Sequence, residues 1–228
     1  MVDRVPAWVT PVAWVWIVLC VATAVAVAVD VHRGRRHPTV ATELVWIASG
    51  LYLGPFTLPL YRRQGRAERA GAPRRAAPGT ASAAVAGLPG GAASAVAHLV
   101  GVPLVLVSGL TIAGIDLWVM IIVIGVLAML LLVAYERTAS RADSSPSGST
   151  PHRSSLASAA VAAVVTVLAF DVGMGGWMLL LHFNEYMPPA SEGSFWFLMQ
   201  AGIVLGLVTG WPAVRWLQRE RRAVAPSV

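Results

Sequence analysis

Long apolar runs separated by short polar segments dominate the chain. A helix that crosses the hydrocarbon core of a bilayer needs about 20 mostly apolar residues. Six runs approach or exceed that length: Trp8 to Val29, Leu44 to Tyr61, Ala92 to Ile112, Leu117 to Tyr135, Leu156 to Phe183 and Ser194 to Trp216. The pattern predicts an all-α polytopic membrane bundle of about six transmembrane helices, one domain spanning residues 1–228. Ala24 and Ala26 give the first run an A-x-A pattern, as a signal-peptide cleavage site would. The run is longer than an ordinary secretory core, and only Arg4 precedes it as a basic residue, so it reads as an anchor.

Two polar connectors stand out. Residues 62–91 are rich in Arg, Ala, Gly and Pro, and residues 136–155 in Ser, Pro and Gly, so both are expected to be flexible cytoplasmic loops with too little apolar surface to fold alone. With both termini inside, 14 of the 17 Arg fall on the cytoplasmic side, and the positive-inside rule then predicts cytoplasmic termini. Arg33, Arg35 and Arg36 in the first connector are the exceptions. Trp8, Trp14, Trp16, Trp211 and Trp216 mark the expected interfaces.

Composition narrows the class. The 228 residues are 57% hydrophobic and 12% charged, with a mean hydropathy of +0.68, which leaves no room for a soluble catalytic domain. All 17 basic residues are Arg, and the net charge is +6. They lie in connectors beside apolar runs, without the interleaved aromatics of a nucleic-acid surface, so anionic lipid headgroups are the expected partner and nucleic acid is not. Cys20 is the only cysteine, so neither an intrachain disulfide nor a thiolate metal knuckle can form.

Ionisable and polar groups within spans are costly, by about 2.5 to 3.5 kcal/mol for a charge at the centre, and each needs a partner, a cavity or a function. Asp171, near the middle of the fifth span, leads a candidate intramembrane polar site with His98, Glu43 and Gln200. Its functional reading is a proton or cation site, and its structural reading a protonated side chain bonded to a neighbouring helix. Met174, Met178 and His182 follow Asp171 at helical spacing and are candidate metal ligands. Thioether and imidazole together suit a soft transition metal such as copper, although Met stripes also arise from plain packing. Asp30, His32, His37, Glu185, Met187 and Glu192 are expected at the outer surface with Glu43. Gly202, Gly206 and Gly210 form a small-residue stripe for helix packing, either within the chain or in a homo-oligomer. No nucleotide loop, catalytic triad order, zincin helix or haem attachment motif occurs, and His98 and His182 lie toward opposite faces, against a b-type haem.

Three segments together carry a family resemblance. The second span has Leu51-Tyr52-Leu53-Gly54-Pro55, with Tyr61 and Gly65-Arg66 beyond it. The fifth has Phe170-Asp171-Val172-Gly173-Met174 and Gly176-Trp177-Met178, and the sixth Phe195-Trp196-Phe197-Leu198-Met199-Gln200 with Trp211-Pro212 at its exit. This resembles the bacterial multi-pass membrane family called domain of unknown function 4396, which implies a helical bundle, with residues 92–222 as its four-helix part, and no particular activity. The resemblance also implies a His-Cys-Gly-x-Gly-Cys segment at the start of the third span. Here Gly87 to Ser94 contain no thiol, as in a divergent member that kept the bundle and lost that site.

Three functions compete on this reading. Transport or metal and cation handling around the fifth helix comes first. A membrane-embedded enzyme acting on a lipid-like substrate and a non-catalytic partner subunit of a membrane complex are the alternatives. Each places the chain in a bacterial cytoplasmic membrane.

Overall fold

The computed structural model describes residues 5–34, 37, 39–65, 83–142 and 156–224. It is helical throughout, with six helical segments long and apolar enough to cross a membrane: Val9–His32, Val40–Gly65, Val85–Ser108, Asp116–Ala139, Ala163–Phe183 and Gly193–Leu217. The protein is thus a multi-pass membrane protein. Hydrocarbon offers backbone groups no partner, so apolar runs become helices even where Val, a poor helix former in water, is frequent. Buried hydroxyls bond back to the preceding turn for the same reason. Thr23 donates to the Leu19 carbonyl at 2.8 Å and Ser49 to the Val45 carbonyl at 2.7 Å. The bundle turns apolar side chains outward: Leu104, Leu130, Val172 and Val208 are exposed, as lipid-facing residues are.

Helix α1 (Val9–His32) runs the full length of the bundle, and the second segment does not. Its α2 arm (Val40–Leu53) opens with Thr39, whose side chain accepts the Thr42 N–H at 3.2 Å. The arm ends at Gly54, where φ 55° and ψ −137° break the helix immediately before Pro55. A 3₁₀ turn (Gly54–Phe56), the short α3 (Thr57–Leu60) and a π turn (Tyr61–Gly65) then run back along α2. On a continuous helix Trp46 and Tyr61 would stand about 22 Å apart. Their ring centroids are 5.5 Å apart. Thr57 donates to the Ser49 carbonyl at 2.9 Å, and a side chain at Gly65 would collide with the Trp46 ring. The second apolar segment is therefore a helical hairpin that enters and leaves at the same end of the bundle. Its tip lies beside the middle of α1, with Gly54 against Trp16 and Cys20, and Phe56 6.1 Å from Trp16.

Helix α4 (Ala83–Ser108) begins at that same end. Leu88 and Val85 join Val27, Val31, Trp46 and Tyr61 in one cluster, and the Tyr52 hydroxyl donates to the Leu88 carbonyl at 3.4 Å. Helix α5 (Asp116–Ala142) returns antiparallel, with Gly101 against Ile124. Helix α6 (Leu156–Phe183) and α7 (Gly193–Val224) form the last pair, and Gly193 abuts the Trp14 ring near the start of α1.

Two expectations change. The first and last described residues, Val5 and Val224, lie at opposite ends of the bundle, because the second segment folds back on itself. Val5 and Pro6 sit beside Asn184 and Tyr186, whereas α7 finishes at the other end. The connectors are also shorter than expected: residues 83–91 belong to α4 and 136–142 to α5. Ala-rich residues 83–86 favour helix, and at Gly91, within that helix, the Tyr52 hydroxyl occupies the space a side chain would need. The rest of both expected loops, residues 66–82 and 143–155, lies outside the described residues.

Candidate functional site

The end of the bundle that carries the α4–α5 turn and the α6–α7 connection holds two adjoining clefts of about 430 and 300 Å³. Both are lined by Leu106, Asp116 and His182, and the second adds Glu185, Met187, Glu192 and Phe195. Each polar group is there for a local reason. Asp116 is the first residue of α5, where a carboxylate complements the helix dipole. His182 lies in the last turn of α6, and Glu185 follows in a Schellman turn: its N–H reaches the His182 carbonyl at 3.2 Å, and the Tyr186 N–H reaches the Leu181 carbonyl at 2.9 Å. Glu185 therefore occupies the left-handed position, φ 62°, that glycine normally takes. Glu192 accepts the Ser194 hydroxyl at 3.1 Å.

Methionines lie beneath this mouth. Met120, Met174, Met178 and Met199 are buried in the central cluster, and Met187 packs against it from the cleft. Five of the seven methionines thus share one cluster, drawn from α5, α6, α7 and the α6–α7 connection. Sequence spacing exposed only Met174 and Met178. Met120 and Met199 lie on separate helices and Asp116 opens α5, so nothing in the sequence linked them to His182.

Asp171, Met174, Met178 and His182 lie along one face of the continuous α6, with Met174 and Met178 both in the central cluster, but they meet different neighbours. Met174 sits against Gly202 of α7 and His182 faces the mouth, while Asp171 is half-buried with Oδ2 3.5 Å from where a Gly125 Cβ would stand. Asp171 lines a small cleft of about 10 Å³ with Gly90, Ser94, Thr166 and Phe170, room for a single water and no more. That cleft shares no lining residue with the mouth. Ser94 connects it to His98: the Ser94 hydroxyl lies 3.3 Å from His98 Nδ1, which also lies 2.8 Å from the Ser94 carbonyl.

Glu43 and Gln200 do not join Asp171 and His98. Glu43 is buried in the first turns of α2, where a carboxylate oxygen accepts the His37 N–H at 3.0 Å. Gln200 bonds the Leu51 carbonyl near the hairpin tip at 2.7 Å. Gly202, Gly206 and Gly210 face α6 of the same chain, with Gly206 pressed against the Phe170 ring. Among the described residues, no three His, Cys, Asp or Glu side chains converge into a group able to hold a metal ion.

A family model described as a domain of unknown function (DUF4396) matches residues 81–222. No curated protein and no solved structure matches the chain.

Proposed function

The chain belongs to the DUF4396 family, and we propose that the helices covered by the match, α4 to α7, carry a soft monovalent cation such as Cu(I) across the membrane from the acidic end of the bundle. The observation that carries this reading is the juxtaposition of His182 and Met187, in the mouth, with the buried methionines directly below. Soft thioether ligands select Cu(I) over harder ions and can pass it on singly or in pairs. Asp116, Glu185 and Glu192 give the mouth a negative field that draws cations in, and among the described residues no Arg lies at that end. The described Arg, among them Arg33, Arg62, Arg63, Arg137, Arg215 and Arg219, lie toward the opposite end. The positive-inside rule then makes the basic end cytoplasmic and the mouth external.

The enzyme reading has one observation in its favour, the Ser94 hydroxyl beside His98 and the cleft reaching Asp171. A space of about 10 Å³ admits water but no lipid-like substrate, which favours transport. The Gly202 to Gly210 stripe is occupied by α6, so it offers no support for a partner subunit.

Uptake of Ag(I), a redox-inert stand-in for Cu(I), into proteoliposomes tests the proposal. Wild-type protein should accumulate the ion. His182→Ala with Met187→Leu should cut the initial rate about tenfold, the scale of losing one good ligand interaction, and Asp171→Asn should slow uptake if its carboxylate balances the ion's charge within the membrane. Wild-type vesicles no faster than protein-free ones would end the reading.

A further inference from the structure

Three buried side-chain atoms among the described residues have no hydrogen-bond partner: Nε2 of His37, Nε2 of His98 and Oε1 of Gln200. His37 lies in a connector, and Gln200 already spends its amide on the hairpin tip. His98 differs from both. It is 3% exposed, sits in mid-helix within the Val85–Ser108 span, and its ring is already oriented. The Ser94 carbonyl, 2.8 Å from Nδ1, can only accept, so Nδ1 carries the hydrogen and Nε2 is left with a free lone pair. A metal-ligating histidine is arranged in this way: one ring nitrogen donates to a carbonyl and so fixes the tautomer, and the other points its lone pair at the ion.

Helix register gives the direction. Val102 and Val105 follow His98 at four and seven residues, on the same face of α4. Both are fully buried in the cluster that holds Met120, Met174, Met178 and Met199. The unpartnered nitrogen therefore belongs to the helix face that borders the methionine core, about one turn farther from the mouth than Val102.

We propose that His98 Nε2 is an interior ligand for a soft monovalent cation, receiving it from the methionine cluster midway through the membrane. The proposal rests on the cation-handling reading above and adds to it a second station beyond the mouth. Asp171 lines the small cleft that Ser94, the hydrogen-bond partner of His98, also lines.

Full-length protein in nanodiscs, labelled with ¹⁵N at the histidine rings and titrated with Ag(I), tests it. The Nε2 resonance of His98, assigned by its loss in His98→Gln, should move on binding while its Nδ1 stays protonated. His98→Leu should bind one equivalent fewer than wild type, and His98→Met, which restores a soft ligand, should regain it. If wild-type vesicles take up Ag(I) but the His98 signal stays still, the interior station is wrong and the mouth reading survives. The wild-type spectrum decides this even if His98→Leu fails to fold. Absence of both uptake and any histidine shift would overturn the two proposals together.

Discussion

The side-chain amide of Gln200 on α7 donates to the Leu51 carbonyl of α2 at 2.7 Å, across 149 positions of sequence. Residue 55, which would normally supply an N–H to that carbonyl, is proline and has none. Gln200 thus provides the donor that the break in the second segment removed. Gln200→Leu should leave the carbonyl unsatisfied in an apolar setting, a loss of about 1 to 3 kcal/mol. Cys20, buried beside Gly54 at the tip, is a built-in reporter: its alkylation in detergent should speed up in the variant. Unchanged alkylation and thermal stability would show that the tip does not depend on this bond.

A hairpin that returns to its own side makes the topology odd. In a Cys20→Ala background, a cysteine at Val5 should react with an impermeant reagent added outside cells. One at Thr39 should stay protected, and a reporter after Arg222 should read as cytoplasmic. Protection at Val5 with labelling at Thr39 would invert the bundle and place the acidic mouth inside.

The α6–α7 seam depends on the absence of a side chain at Gly206. A Cβ there would stand 2.7 Å from the Phe170 ring, whereas Val208 is 65% exposed and faces outward. Gly206→Leu should therefore lower monodispersity and unfolding temperature, with overpacking costing about 1 to 3 kcal/mol. Val208→Leu should behave as wild type. Equal behaviour of the two variants would argue against close packing at this position.

Glu185 holds a left-handed backbone where glycine would be unstrained. Glu185→Gly should stabilise the end of α6 by about 1 kcal/mol, read as a higher melting temperature, and yet slow Ag(I) uptake by removing a carboxylate from the mouth. A variant that is stabilised and transports normally would make Glu185 irrelevant to the cation path.

Burial pushes His37 below the usual imidazole range, against the opposing pull of Glu43. The folded state then binds fewer protons than the unfolded chain, whose imidazole titrates near 6.5. The contribution to stability is complete above that value, falls as pH drops through it and levels off below the lowered native pKa. Melting temperature should therefore drop between pH 7.5 and 5.5, and His37→Gln should reduce that drop. An unaltered pH dependence in the variant would show that His37 does not contribute.

Much of the architecture was legible from hydropathy, because a helix in lipid satisfies its own backbone and its existence depends on local apolarity. Leu156–Phe183 matches the expected fifth span end for end, and all six apolar segments are helical. Hydropathy adds residues without regard to direction, so Leu44 to Tyr61 read as one crossing although Gly54-Pro55 reverses it. Contacts that hydropathy does not register hold that reversal: Thr57 on the Ser49 carbonyl, Trp46 on Tyr61, Tyr61 donating to Asp30 at 3.1 Å, and Gln200 on Leu51. The candidate site divides in the same way. The α6 spacing brought Met174, Met178 and His182 to notice, since helical periodicity is local. Joining His182 to Asp116, or Met178 to Met120 and Met199, required helices distant in sequence to pack together, and turning Asp171 toward Gly125 was a consequence of that packing. Such pairings depend on which apolar faces meet when nothing but shape and small residues discriminates among them, and only the folded bundle makes that choice.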